Sequence, residues 1–170
     1  MDAVLLDTDV VSYLTKSNDP RADAYRPHVK GKTAAISFIT VGEIYFGAEK
    51  KKWSSQTLSS FLERLKAFVI VPYDIELCKT YGKLKASLRE AGVVVADNDL
   101  WIAACAVRHS IPLISNNRKH FEKIPGLHLI SESPQKTAPP PETKQLFDQH
   151  NQSSTGSATK DESKPIDKPK

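Results

Sequence analysis

This sequence contains a series of short apolar segments separated by longer segments with helical periodicity. The apolar segments are 3–6, 33–37, 68–73, 111–115 and, as an edge strand, 127–131. The helical pattern covers 9–16, 20–29, 40–51, 54–67, 74–92 and 97–109. Short apolar strands that alternate with helices are typical of a parallel sheet covered on both faces. We therefore predict a three-layer α/β/α fold around a mainly parallel sheet of four to five strands.

The composition changes after residue 131. Residues 132–170 are rich in Pro, Ser, Thr, Lys and Gln, and their apolar residues are too few to offset the entropy of ordering the chain. We predict a folded domain over 1–131 and a disordered hydrophilic tail over 132–170, with at most a weak helical patch at 143–150. The tail holds six lysines and six acidic residues, so the net charge of +4 belongs to the domain. This excess permits a polyanionic partner without requiring one.

No secretory signal or membrane span is expected. The apolar run 3–6 is shorter than the core of a signal peptide, and no run approaches the length of a membrane helix. Cys78 and Cys105 lie in predicted helices, where small buried thiols are ordinary. Without a pairing framework, we expect a cytoplasmic protein that does not bind membranes.

Acidic residues occur where the predicted strands end. Asp7 directly follows the first strand, and Glu43 lies in the helix after the second. Asp97 and Asp99 open the helix that leads into the fourth strand. Parallel sheets of this type bind ligands beyond the carboxyl ends of their strands. We therefore expect Asp7, Glu43 and Asp99 to meet at one edge of the sheet.

Helix capping is a competing interpretation of each acid taken singly. The caps that it predicts are Asp7 or Asp9, Thr40 with Glu43 in a capping box, and Asp97. Taken together, clustered carboxylates repel one another, and a divalent cation removes that repulsion. Mg²⁺ prefers oxygen ligands, and such a site polarises a phosphoryl oxygen and delivers a water nucleophile. Asn117, after the fourth strand, can add a neutral oxygen.

Motifs of other site classes are absent from the sequence. The five histidines lack paired ligand spacing, and the two cysteines are too far apart for a zinc motif. The sequence contains no G-x-S-x-G nucleophile turn and no glycine-rich phosphate loop. Trp101 lies in an apolar run and is expected in the core.

Three stretches resemble PIN-domain ribonucleases, and in particular the VapC-type toxins of bacterial toxin–antitoxin pairs. They are LLDTDVVSYL, ISFITVGEIYFGAEK and DNDLWIAACAVRHSIPLISNNRKHFEKIPGL, in the order and spacing of that family over roughly residues 3–131. The last stretch is the most specific. The resemblance implies that the predicted α/β/α domain has a PIN-like fold.

The resemblance also implies roles for individual residues. Asp7, Glu43 and Asp99 match the metal-binding acids of the family, whereas Asp97 is a neighbour rather than a ligand. Asn117 falls where many PIN domains have a fourth acid and many VapC-type toxins have Asn.

Two further positions complete the implied site. Ser115 stands where Thr is commoner, and its hydroxyl would orient a ligand. Asp9 replaces the usual Asn or Ser, and its extra charge would either tighten metal binding or repel the phosphate.

The activity implied by the resemblance is that of a Mg²⁺- or Mn²⁺-dependent endoribonuclease that hydrolyses RNA phosphodiester bonds through an activated water. Implied partners are RNA, a cognate antitoxin that inserts a C-terminal segment near the site, and a second copy in a homodimer. Tyr45 and Phe46 are candidates for the dimer or antitoxin surface.

Two alternatives stay open at this point. LLDTDVV also resembles the nucleophile motif of haloacid-dehalogenase-type phosphatases, with Asp7 attacking phosphorus and Asp9 as acid and base. That class does not explain Glu43, and only Lys83 and Lys85 could supply its expected lysine. The other alternative is a catalytically silent PIN-like module that binds RNA or protein.

Overall fold

Five parallel strands form one sheet within the part of the chain that the computed structural model describes, residues 2–16 and 18–132. The strands are β1 (Ala3–Leu6), β2 (Thr33–Ser37), β3 (Val69–Val71), β4 (Leu113–Ile114) and β5 (Leu129–Ile130). Every neighbouring pair is parallel, and the spatial order is β3-β2-β1-β4-β5. The first strand therefore lies in the centre, with its carboxyl end between those of β2 and β4.

Helices precede or follow each strand. They are α1 (Thr8–Thr15), α2 (Ala22–Val29), α3 (Phe38–Lys50), α4 (Ser55–Leu65), α5 (Ile75–Glu90), α6 (Asp97–His109) and α7 (Arg118–Phe121). Asp7 caps α1 as predicted, through the Thr8 N–H. The other two predicted caps are wrong, because Ser37 caps α3 by accepting the N–H of Thr40, and α6 follows Ala96 with Asp97 already inside the helix.

Successive side chains of β1 belong to separate hydrophobic cores on the two faces of the sheet. Val4 and Leu6 pack with residues of α1 and α2, whereas Leu5 packs with residues of α5 and α6. All three side chains are fully buried. Because successive side chains of a strand point to opposite faces, each face must be covered by its own helices. The predicted α/β/α fold is confirmed.

The strands after β2 are shorter than predicted. The segments 68–73, 111–115 and 127–131 contribute strands of 3, 2 and 2 residues. An apolar run indicates burial, and burial extends beyond the residues that pair in the sheet. Ile111, for example, packs against the core but precedes the strand.

Large apolar side chains of two helices are exposed. Tyr45 of α3 is 44% exposed, and Ile75 is 70% exposed at the start of α5. The buried stripe of α5 begins instead at Leu77. Cys105 is buried but Cys78 is exposed, so the expectation of buried thiols holds for one of the two cysteines.

The predicted tail, apart from Glu132, and its helical patch lie outside the described residues. Within 2–16 and 18–132, no helix has both the length and the apolar character needed to cross a membrane.

Candidate active site

The carboxyl ends of β1, β2 and β4 bring four segments to one edge of the sheet. Asp7 directly follows β1, and Ser115 directly follows β4. Strand β2 leads straight into α3, which carries Glu43, and α6 contributes Asp99 from its first turn. Since the strands are parallel, these segments share the edge at which sheets of this type bind ligands.

Asp7 is the most deeply buried acid of the site, with 7% of its surface exposed. Its Oδ1 accepts the backbone N–H of Thr8 at 2.8 Å, and its Oδ2 accepts the Ser115 hydroxyl at 2.7 Å. Burial, followed by the negative charge of Asp9, raises the pKa of Asp7 to about 7, and the charge of Asp99 adds to this. The hydrogen bonds from Ser115 and Thr8 lower the pKa but do not cancel these effects.

Glu43, in the second turn of α3, connects that helix to the starts of two others. Its Oε2 accepts the Thr8 hydroxyl at 2.5 Å, and its Oε1 accepts the Asn98 amide at 2.9 Å. Thr8 opens α1, Glu43 lies in α3 and Asn98 lies in the first turn of α6. The carboxylate is therefore held at both oxygens.

Asp99 interacts with the other acids and with one histidine. Burial raises its pKa, the contact with His120 lowers it, and the charge of Glu43 raises it. The Oδ2 atom of Asp99 lies 2.8 Å from Nδ1 of His120, and the carboxylate is 18% exposed. Because Asp99 also raises the pKa of Asp7, the three acids form one electrostatic cluster.

His120 is a site residue that sequence reasoning missed. Its Nδ1 also lies 2.9 Å from Nδ2 of Asn117, whose backbone N–H donates to the Ser115 hydroxyl at 2.9 Å. His120 belongs to α7, a single turn that is too short to show helical periodicity in the sequence. No spacing in the sequence indicates its contact with Asp99, which lies 21 positions earlier.

The two remaining acids have other partners. Asp9 accepts the N–H of Val10 at 2.6 Å, and a backbone hydrogen bond with Asn116 helps to lower its pKa against the larger effect of burial. Asp9 thus connects the start of α1 to the loop after β4. Asp97 accepts the Lys85 ammonium at 2.5 Å and the Tyr81 hydroxyl at 3.0 Å, which lower its pKa.

The donor set of the cluster fits a hard divalent cation. It offers carboxylate oxygens, and over 2–16 and 18–132 no lysine or arginine forms an ion pair with Asp7, Glu43 or Asp99. In the same ranges no three His, Cys, Asp or Glu side chains stand in a ready metal-holding arrangement. Each of the three carboxylates has a local hydrogen-bonding partner, which in the case of Asp99 is His120.

Comparison with known proteins agrees with this geometry. Residues 4–127 match the PIN domain. The chain belongs to the PIN-domain family. This PIN domain is 32% identical over 123 residues to ribonuclease VapC2 of Haemophilus influenzae, a match that covers 72% of this chain and 92% of the relative. It is 30% identical over 128 residues to the tRNA(fMet)-specific endonuclease VapC of Salmonella typhimurium, covering 74% and 94%.

The fold of this PIN domain is similar to that of a solved toxin–antitoxin complex, VapBC2 from Rickettsia felis bound to a DNA fragment from their promoter. The TM-score is 0.69 at 28% identity, over 77% of this chain and 99% of the matched chain. The predicted resemblance to VapC-type ribonuclease toxins is confirmed, and the family match favours a nuclease over the phosphatase alternative. The roles of individual site residues stay predictions.

Proposed function

We propose that this VapC-type ribonuclease toxin hydrolyses RNA at the cluster of Asp7, Glu43 and Asp99 with a divalent cation, Mg²⁺ or Mn²⁺. The observation that carries the proposal is the position of the buried Asp7 carboxyl beside other acids where β1 ends. Burial, followed by the charges of Asp9 and Asp99, raises the pKa of Asp7 to about 7. Such a cluster is unfavourable without a counter-charge. Its position at the ligand-binding edge of the sheet supports a cation site there.

The chain's own residues would prepare the site by fixing its oxygen ligands. Ser115 and the Thr8 N–H hold both oxygens of Asp7, while Thr8 and Asn98 hold both oxygens of Glu43. When bound, a divalent cation polarises a phosphoryl oxygen and favours ionisation of water at neutral pH. Carboxylates that are oriented in advance need little rearrangement as charge develops in the transition state.

The loop after β4 and the start of α7 would face the phosphate backbone. The Asn117 carboxamide is neutral, so it can contact a phosphate or a water without the repulsion that a fourth carboxylate would add. Arg118 and Lys119 follow it and are exposed. Their positive charges would attract RNA to this edge of the sheet.

We propose three partners for this chain. The first is RNA, and the name of the Salmonella typhimurium relative makes initiator tRNA the first substrate to test. The second is a cognate antitoxin, since the Rickettsia felis relative was solved as a VapBC2 complex. The third is a second copy in a cytoplasmic homodimer. Tyr45 and Phe46, 44% and 69% exposed on the helix that carries Glu43, are candidate contacts for a protein partner.

The test is cleavage of initiator tRNA and of total RNA by the purified full chain, with Mg²⁺, Mn²⁺ or a chelator. We expect the wild type to cleave with either metal, and Asp7→Asn and Asp99→Asn each to lose at least about 100-fold in rate. Asp97→Asn is the matched control, because Asp97 lies in the same helical turn as Asp99 but is paired with Lys85.

Equal cleavage by the wild type and Asp99→Asn would contradict the proposed site. Metal-independent cleavage that survives chelation would contradict the proposed cofactor. RNA binding without cleavage under any of these conditions would favour the silent binding module instead.

A further inference from the structure

The position of His120 is fixed by the core, although its side chain is exposed. The neighbouring Phe121 is 1% exposed and belongs to the core that covers one face of the sheet. The backbone N–H of His120 donates to the carbonyl of Asn117 at 3.0 Å, which closes the turn. The imidazole itself is 51% exposed. Its contacts at the site therefore do not arise from burial of the ring.

A single ring nitrogen of His120 faces two site residues. Nδ1 lies 2.8 Å from Oδ2 of Asp99 and 2.9 Å from Nδ2 of Asn117. One nitrogen either donates a hydrogen or accepts one, so it can serve only one of these neighbours at a time. Donation to the Asp99 carboxylate is the stronger choice because it is a charge-assisted hydrogen bond. The Asn117 carboxamide is then free to turn toward substrate.

This contact leaves one oxygen of the Asp99 carboxylate without a hydrogen bond. Within the described ranges, both oxygens of Asp7 and both of Glu43 accept hydrogen bonds, whereas Asp99 accepts only at Oδ2. Oδ1 of Asp99 therefore keeps both of its lone pairs for a cation, whereas each oxygen of Asp7 and Glu43 keeps one. Hydrogen-bonding partners of metal-binding carboxylates typically change metal affinity or activity by 10–100-fold when they are lost.

We infer that His120 is a positioning residue of the active site, which holds Asp99 through Oδ2 and so leaves Oδ1 available to a divalent cation. This inference rests on the proposed metal-dependent nuclease. The alternative in which His120 itself binds the metal through Nδ1 requires that the hydrogen bond to Asp99 be lost. Imidazole also suits Zn²⁺ better than Mg²⁺, so the two roles differ in metal preference.

The experiment is Mn²⁺ binding to the full chain without RNA, measured by titration calorimetry. The variants are His120→Ala, His120→Asn and His120→Gln, since an Asn amide places a donor near the Nδ1 position and a Gln amide places one near the Nε2 position. Glu122→Gln, an exposed acid next to α7, controls for local charge. We expect His120→Ala to weaken Mn²⁺ binding by 10–100-fold and His120→Asn to recover most of it.

Three further results are expected if His120 positions Asp99. His120→Gln should not recover binding, and the unfolding temperature should not change in any variant, because the side chain is exposed. In an Asp99→Asn background, His120→Ala should cause no further loss of Mn²⁺ affinity. RNA cleavage by His120→Ala should recover at saturating Mn²⁺.

Two results would overturn the role of His120. One is unchanged Mn²⁺ affinity in His120→Ala while Asp99→Asn loses binding, in which case the nuclease proposal stands alone. The other is a wild-type preference for Zn²⁺ over Mn²⁺ that His120→Ala abolishes, which would make His120 a ligand. If the wild type and Asp99→Asn bind Mn²⁺ equally, the metal-dependent function itself fails.

Discussion

Ionisation of the Asp7 carboxyl opposes folding, because the group is buried next to other acids. Its pKa is about 7 in the folded protein against an ordinary value of 3.8. Between these values the folded chain retains a proton that the unfolded chain has released. Stability without metal therefore falls as the pH rises from about 4 through 7. A pKa difference of about three units corresponds to roughly 4 kcal/mol in the free energy of unfolding.

We predict that Asp7→Asn stabilises the metal-free protein at pH 8, by up to about 4 kcal/mol less about 1 kcal/mol for weaker hydrogen bonds. The gain should largely disappear at pH 5, where Asp7 is protonated in the folded wild type. Urea unfolding with a chelator at both pH values measures the difference. Added Mg²⁺ should stabilise the wild type and leave Asp7→Asn nearly unchanged.

Glu90→Gln, at the exposed end of α5, is the matched control for this prediction and should change stability at neither pH. A wild type that is more stable than Asp7→Asn at pH 8 without metal would contradict the argument from burial. That outcome would mean that the hydrogen bonds to Asp7 outweigh the effects of burial and of the neighbouring charges.

The positions of the site acids can be predicted from the sequence, but not all of their contacts can. The alternation of strands and helices predicts that Asp7 and Asp99 share one edge, because Asp7 follows a parallel strand and Asp99 opens a helix that leads back to the start of another. The partners of Asp9 and Asp99 are not predictable in this way. Asp9 interacts with the backbone of Asn116, and Asp99 with the ring of His120, so both contacts depend on how the loop after β4 packs.

At the scale of elements, the Thr8 hydroxyl connects α1 to α3 through Glu43. We predict that Thr8→Val lowers the free energy of unfolding by about 1–2 kcal/mol, because one oxygen of a partly buried carboxylate loses its donor. We also expect weaker Mn²⁺ binding, since Glu43 is then fixed at one oxygen only. Urea unfolding and titration calorimetry measure the two effects.

Thr8→Ser separates the hydrogen bond from the methyl group. Ser keeps the hydroxyl, so we expect Mn²⁺ affinity close to the wild type and only a small loss of stability. If Thr8→Ser and Thr8→Val weaken Mn²⁺ binding equally, then the loss of affinity comes from the packing of the threonine methyl group and not from the hydrogen bond to Glu43.

Length did not decide how well an element was predicted, because the short strands β1 and β2 have their predicted bounds, whereas the longest helix, α5, ends two residues earlier than predicted. The periodic helix over 97–109 was predicted with its observed bounds, because many buried residues define its face. Strands β4 and β5 pair through only 2 residues each, so their apolar flanks hide where the strands end. The cap of α3 was misplaced for a related reason. Thr40 and Glu43 match a capping box in sequence, but β2 runs directly into the helix and Ser37 takes the cap.

At the scale of the whole molecule, both faces of the sheet and the candidate site are built from residues before the predicted tail. We predict that a chain ending at Gln135 unfolds at the same temperature as the full chain and cleaves RNA at the same rate. The truncation removes six lysines and five acidic residues, so the formal net charge changes only from +4 to +3. It also retains Glu132, which contacts His28 at 2.5 Å.

The salt dependence of cleavage distinguishes RNA contacts of the folded domain from RNA contacts of the residues after it. RNA affinity falls with salt according to the number of phosphates that basic residues contact. If the contacts come from the folded domain, the slope of cleavage rate against salt is the same for both chains. A shallower slope for the truncated chain, at an unchanged unfolding temperature, would assign RNA contacts to the lysines after Gln135. A lower unfolding temperature would instead contradict the composition argument and make residues after Gln135 part of the folded protein.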